Sequence, residues 1–173
     1  MTGVDGTDSG AGADPASLGT YLNDHLGGAT GGLELFRRAH RTHRGTPAEP
    51  ALERLAGEIA EDRAALLRIM SSLGVPVRRY KVLGGWVAEK VTRLKPNGGV
   101  LQRSPLSSVI ELESMHLGVQ GKAAGWRALR RLADTDPRLD AGGLDALLER
   151  ADRQSEVLEQ LRMDAVTTVF VSR

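Results

Sequence analysis

The sequence predicts an all-α protein: a four-helix bundle with a long helix-containing crossover between its second and third helices. Three observations carry that class. Only two Phe, two Tyr and two Trp occur in 173 residues, so helix formers dominate and a β-sandwich has too little to pack with. Four times an N-cap residue stands directly before a proline, in Asp14–Pro15, Thr46–Pro47, Ser104–Pro105 and Asp136–Pro137. That pair marks a helix start, because proline suits the first helical position and Asp, Thr or Ser accepts its orphan N–H groups. Behind each mark, apolar residues recur at steps of three and four, the period of one helical face.

The first helix is expected over 15–43, with a seam of Leu18, Leu22, His25, Ala29, Leu33 and Phe36 that His25 interrupts. Its segment "HLGGATGGLEL" holds four glycines in six residues, each less favourable than Ala by about 0.5–1 kcal/mol in a helix. Gly27 with Gly31 and Gly28 with Gly32 each clear a stripe for close approach by another helix. The second helix is expected over 47–73, opened by a capping box of Thr46 and Glu49. Its seam is Leu52, Leu55, Ile59, Asp62, Leu66, Ile69 and Leu73, which buries one carboxylate, Asp62.

Gly74 and Pro76 stop that helix and open a crossover of about 74–104. It carries a short amphipathic stretch to about Lys95, in which Trp86 stands among Val82, Leu83, Val87 and Val91. That face covers the bundle or contacts a second subunit, which makes Trp86 the interface candidate. The third helix is expected over 105–132, with Leu106, Val109, Ile110, Glu113, Leu117, Gln120 and Ala124 on one face and His116 at its border. The fourth is expected over 137–169, with Leu144, Leu147, Leu148, Ala151, Leu158, Leu161 and Ala165 inward and Gln154 and Ser155 at mid-seam. Every helix thus interrupts its apolar seam with something polar near its middle.

Residues 15–169 form one domain in this reading, between a disordered arm over 1–14 and a tail over 170–173. At this length a single core is stable without staples. No cysteine occurs, which excludes disulfides, zinc–thiolate sites, iron–sulfur clusters and a cysteine nucleophile. The opening "MTGVDGTDSGAGADPAS" has neither a basic nor an apolar signal region, and no segment reaches the length of a membrane span. The expectation is a soluble cytoplasmic protein with no membrane partner. Net charge is +1, from 23 basic and 22 acidic side chains, so no global field gathers nucleic acid. Two basic runs are local exceptions: "RRAHRTHR" at 37–44, and a crossover with seven Lys or Arg against Glu89. The first run suits a helix C-terminus, where cations complement the macrodipole.

With these residues in view, the chain resembles the ferritin-like superfamily of four-helix bundles, most closely its small uncharacterised bacterial members. The resemblance covers roughly residues 15–169 and implies two antiparallel helix pairs, a long connection between the second and third helices, and metal ligands at mid-helix. In that family two helices each give a Glu and the other two each give a Glu-x-x-His. Only Glu113 with His116 matches a complete motif here. The second helix offers Glu58, Glu61 and Asp62 without a histidine, and the first offers His25 after Asp24 where the family has Glu. The di-iron set is therefore incomplete. A reduced site of His25, Asp62, Glu113 and His116, with Asp24 and Glu58 as further candidates, would suit a single transition metal such as iron, manganese or zinc.

Two readings of those four residues stay open: a metal site, or a buried hydrogen-bonded network that fixes helix register. No nucleophile with its base and no phosphate-cradling glycine loop accompanies them, so no catalytic residue is assigned. The leading expectation is a structural or interaction module, a homo-oligomer among its options. A metal-binding bundle is the alternative, and nucleic-acid binding through the basic crossover is a second.

Overall fold

The structure, a computed structural model, describes residues 14–78 and 105–171, and all its regular elements are helical. Four helices follow in order: α1 (Pro15–Thr42), α2 (Glu49–Ser72), α3 (Pro105–Leu132) and α4 (Ala141–Val166), the last continued by a π-helical turn over Thr167–Val171. The expected crossover helix, Trp86 and the arm up to residue 13 lie outside the described residues. No helix among those described is long and apolar enough to cross a membrane.

Two of the start marks act as helix starts and two do not. The Asp14 carboxylate accepts from the backbone N–H groups of Ala16 and Ser17 at 3.1 and 3.2 Å, a true N-cap. Pro105 begins α3. The Thr46–Glu49 box does not form: the Thr46 hydroxyl donates to His43 O at 2.7 Å, and the Glu49 carboxylate accepts from Gly45 N at 2.7 Å. The tight turn through Gly45 (φ +76°) takes both groups, so α2 starts two residues after Pro47 with Pro50 in its first turn. Asp136 likewise serves a turn. Its carboxylate binds the backbone and guanidinium of Arg138, which hold its pKa down at about 2, and α4 waits until Ala141. The predicted stop of α2 holds: Gly74 has φ +70°, and Val75 N donates to Met70 O at 2.9 Å, the backward bond of a left-handed C-cap.

Side-chain pairs give the helix directions. Arg63 reaches Thr30 at mid-length, and Val75 meets Gly19 at one end, so α1 and α2 are antiparallel. Glu113 with Arg162, Gln120 with Ser155 and Arg130 with Asp145 run α3 against α4. Arg38 with Glu111 and His25 with Gly125 run α1 against α3, and Glu58 with Gln154 and Glu61 with Arg150 run α2 against α4. Hence α2 and α3 point the same way. The end of α2 and the start of α3 therefore lie at opposite ends of the bundle, whose length is about 42 Å for the 28 residues of α3.

Burial corrects two seams. In α3 the inward stripe is Val109, Leu112, Met115, Val119, Ala123, Trp126 and Leu129. Of the face expected to be inward, Val109 is buried as read, while Leu106, Ile110, Glu113, Leu117, Gln120 and Ala124 are exposed. Both stripes are apolar at their N-terminal ends; the buried one wins because it runs the whole helix and includes Trp126. In α1 the stripe turns by about one residue, burying Leu22, Asn23, Leu26, Leu33, Phe36 and Ala39 and leaving His25 at the border. The α2 and α4 seams stand almost as read, Asp62 and Gln154 included.

One of the two expected glycine stripes, that of Gly28 and Gly32, faces open space, and a close approach is found instead on α3. A methyl group at Gly28 or Gly32 would meet nothing within 4 Å. At Gly125 on α3 a Cβ would stand 2.9 Å from the His25 ring, so only glycine admits that imidazole, which also packs edge-on against Tyr21 with ring centres 4.4 Å apart.

Asn23 ties the bundle's end together. Its amide nitrogen donates to Gly19 O at 2.8 Å and to Pro76 O at 3.0 Å, and its oxygen accepts from Arg78 N at 2.7 Å. Asn23→Ala strands these buried backbone groups and should lower stability by about 1–3 kcal/mol in urea unfolding. Gly125→Ala should lower it by about 1–3 kcal/mol through overpacking. Most of that loss should disappear in a His25→Ala background, and simple additivity in the double-mutant cycle would show that the two residues do not meet.

Candidate functional site

The apolar core comes in two halves. One contains Leu33, Phe36, Leu52, Leu55, Ile59, Leu112, Met115, Val119 and Leu158; the other contains Leu22, Leu26, Leu66, Met70, Trp126, Leu129, Leu144 and Leu147. Between them lies a polar waist. Asp62 on α2 and Gln154 on α4 are buried there, and Lys122 reaches in from α3.

The waist is connected throughout. The Lys122 ammonium donates to Asp62 Oδ2 and to Gln154 Oε1. The Gln154 amide nitrogen donates to Glu58 Oε2 at 2.9 Å and to Asp62 Oδ2 at 3.3 Å. Arg150 sets one guanidinium nitrogen 2.7 Å from Asp62 Oδ1 and another 2.7 Å from Glu61 Oε2. The contact to Asp62 Oδ1 is a close ion pair poorly aligned for a hydrogen bond. Burial pushes the Lys122 pKa below its ordinary value, and the neighbouring Asp62 charge opposes that shift without cancelling it. Three carboxylates, Glu58, Glu61 and Asp62, thus gather around Lys122, Arg150 and Gln154, while Arg150 Nε and Asp62 Oδ1 are buried without a hydrogen bond.

The four residues read as a reduced metal site lie in separate surroundings. Asp62 is at the waist. His25 packs on Gly125, about one turn along from Lys122, with Asp24 on the exposed side. Glu113 is half exposed and touches Arg162 at 3.4 Å, while His116 lies 3.5 Å from Glu159. The direction of α3 explains the separation. Because α3 begins at the far end from where α2 stops, Glu113 stands nine residues, about 13 Å, from the level of Lys122. Glu58, the additional candidate, joins the waist through Gln154. Among the described residues no group of three His, Asp or Glu side chains is positioned to share a metal ion. The residues that surround Asp62 do not fit one either: its oxygens face an ammonium, a guanidinium and an amide N–H.

The basic run of 37–44 is largely absorbed by the fold. Arg37 pairs with Glu34 at 2.8 Å, Arg38 and His43 each lie 3.5 Å from the buried Glu111, and His40 lies 3.9 Å from Glu49. The basic residues of the crossover beyond Arg78 lie outside the described residues. Sequence reasoning missed Lys122, Arg150, Glu111 and Asn23. For Lys122 the signal existed: with α3 in its observed phase, the step from Val119 to Trp126 passes through a lone lysine amid small residues.

A cleft of about 730 Å³ opens at the end of the bundle, between the start of α1, the end of α2 and the turn from α3 to α4. It lies away from the waist and is bordered by Leu18, Asn23, Leu73 and Arg138.

Lys122→Met leaves Asp62 buried with one cation fewer and should lower stability by about 3–5 kcal/mol. Asp62→Leu combined with Lys122→Met should recover most of that, since a packed apolar waist tolerates the loss of both charges. A double variant no more stable than the single one would contradict the buried pair. A second test uses acid. Burial holds the His25 pKa below its ordinary 6.5, with the charge of Asp24 opposing. Between 6.5 and the lower folded value the unfolded chain binds a proton that the folded chain does not, so stability falls as pH drops through that window. His25→Gln should flatten this part of the stability–pH curve relative to wild type, and identical slopes would place His25 in water.

Compared with protein families, curated proteins and solved structures, the chain matches none of them.

Proposed function

We propose that this chain is a ferritin-like helical bundle that works as a structural or interaction module and brings no catalytic centre of its own. The helix order supports the ferritin-like part: two antiparallel hairpins in which parallel α2 and α3 end and begin at opposite ends of the bundle. One observation carries the functional part. The ammonium of Lys122 sits between Asp62 and Gln154, at the level where a mid-bundle metal ion would need ligands. The positive charge that a buried carboxylate demands is supplied from within the chain. To bind Asp62, a divalent ion would have to displace the Lys122 ammonium and the Arg150 guanidinium from it, leaving Lys122 only Gln154 and Arg150 only Glu61. The outer surfaces of the helices are then what the protein has to offer a partner.

Thermal unfolding of tag-free protein with increasing zinc, manganese or ferrous ion tests the reading. Ligand linkage requires Tm to climb with the logarithm of metal concentration if a site exists in the folded state. The expected result is a flat Tm for wild type and for the Asp62→Asn, Glu113→Gln and His116→Ala variants alike. A steady climb in wild type that all three variants lose would restore the metal site and overturn the module reading.

A further inference from the structure

We propose that the outward face of α3, together with the end of α4, is a self-association surface covered by a second copy of this chain; the inference rests on the module reading above. Six of the eight large apolar side chains left exposed among the described residues gather there: Leu106, Ile110 and Leu117 on α3, and Met163, Phe170 and Val171 at the end of α4. Leu117 is 54 % exposed and Phe170 65 %. Leu106, Ile110, Glu113 and Leu117 follow one another by four, three and four residues, so they form one stripe diametrically opposite the buried one. The pairing of Glu113 with Arg162 and of Gln120 with Ser155 sets the register of α3 against α4 and brings Leu106 level with Val169 and Phe170. Two exposed apolar segments therefore lie side by side. Scattered single residues would need no explanation, but a contiguous patch of this kind does.

Charge decides the occupant. Nucleic acid or an anionic membrane would need a surface of one positive sign, and this patch mixes Glu113, Glu159, His116 and Arg162. Such a mixture complements itself. Arg162 is held at 2.7 and 2.8 Å by Glu159, so its 3.4 Å contact leaves Glu113 half exposed and able to accept the same arginine from a second copy across a two-fold axis. Size is consistent with this. Carried along α3 to the exposed Ala124, the stripe runs 18 residues, about 27 Å, and two adjacent helices make it about 20 Å wide. The footprint is on the order of 500 Å² in projection, near the lower limit of about 600 Å² of accessible surface per partner in specific complexes. Beside this path Gly121 projects nothing, and a methyl group there would meet nothing within 4 Å, so the helix surface is low enough for close approach.

The test is sedimentation or light scattering of the full chain over a wide concentration range. Wild type should reach twice the 18.5 kDa chain mass. Ile110→Glu and Leu117→Glu should each raise the dissociation constant at least about tenfold with helicity unchanged and with Tm equal to that of wild type at concentrations where both are monomeric, because neither residue supports the core. Val77→Glu, an exposed apolar residue at the opposite end, should leave the mass as in wild type. A chain that stays monomeric at every concentration overturns the proposal. So does a dimer indifferent to both α3 substitutions, and so does a monomer whose Tm falls with Leu117→Glu, which would mean that residues 79–104 of the same chain cover the face. None of these outcomes touches the module reading, whose own failure appears only as metal-dependent stability.

Discussion

The buried contact between Lys122 and Asp62 governs the arrangement of this bundle. An isolated carboxylate in an apolar interior is far too costly to keep, and Asp62 is tolerated only because cations arrive from two other helices. Their arrival fixes relations that apolar packing leaves loose. Leucines and alanines repeat every turn and would accept a helix slid by one turn, whereas one ammonium and one guanidinium reach one carboxylate at a single axial setting. The waist therefore acts on register more than on net stability, since a buried ion pair is often no more stabilising than a well-packed apolar replacement.

Much of this architecture could be read in the sequence. The four helices, the burial of Asp62, the stop at Gly74 and the polar position of Gln154 all follow from periodicity and cap chemistry, which are local. The errors share one cause. In α3 two apolar stripes share the first turns, and choosing between them depends on what the other helices present, which periodicity does not report. The wrong choice turned Glu113 and His116 inward as ligands and hid Lys122, whose long arm lies on the stripe that the fold buries. Thr46 and Pro137 misled for a related reason: a capping residue serves whichever backbone group is nearest, and in both loops a turn was nearer than a helix.

The level of the α3 residues was a geometric question with two answers, depending on whether the connection from α2 returns to the same end or crosses to the other. α3 begins at the end opposite to that where α2 stops, as antiparallel α1 and α3 require, and the Glu-x-x-His pair is carried away from Asp62. A motif that matches in spacing thus fails in position. The pair instead makes surface contacts to Arg162 and Glu159, whose carboxylate is held below its ordinary pKa mainly by the hydrogen bond from that arginine.

The distribution of charge between the two hairpins has a further effect. At the waist, the acids Glu58, Glu61 and Asp62 all belong to the α1–α2 hairpin, and Lys122 and Arg150 belong to the α3–α4 hairpin. Near the C-terminal end of α1 the polarity reverses: Arg38 and His43 come from the first hairpin and the buried Glu111 from the second. The hairpins are joined like a keyed connector with one acid-to-base contact and one base-to-acid contact at different heights. A docking that is inverted or displaced by several turns brings like charges together in a dry interface, so misassembled encounters should come apart before the leucines can trap them.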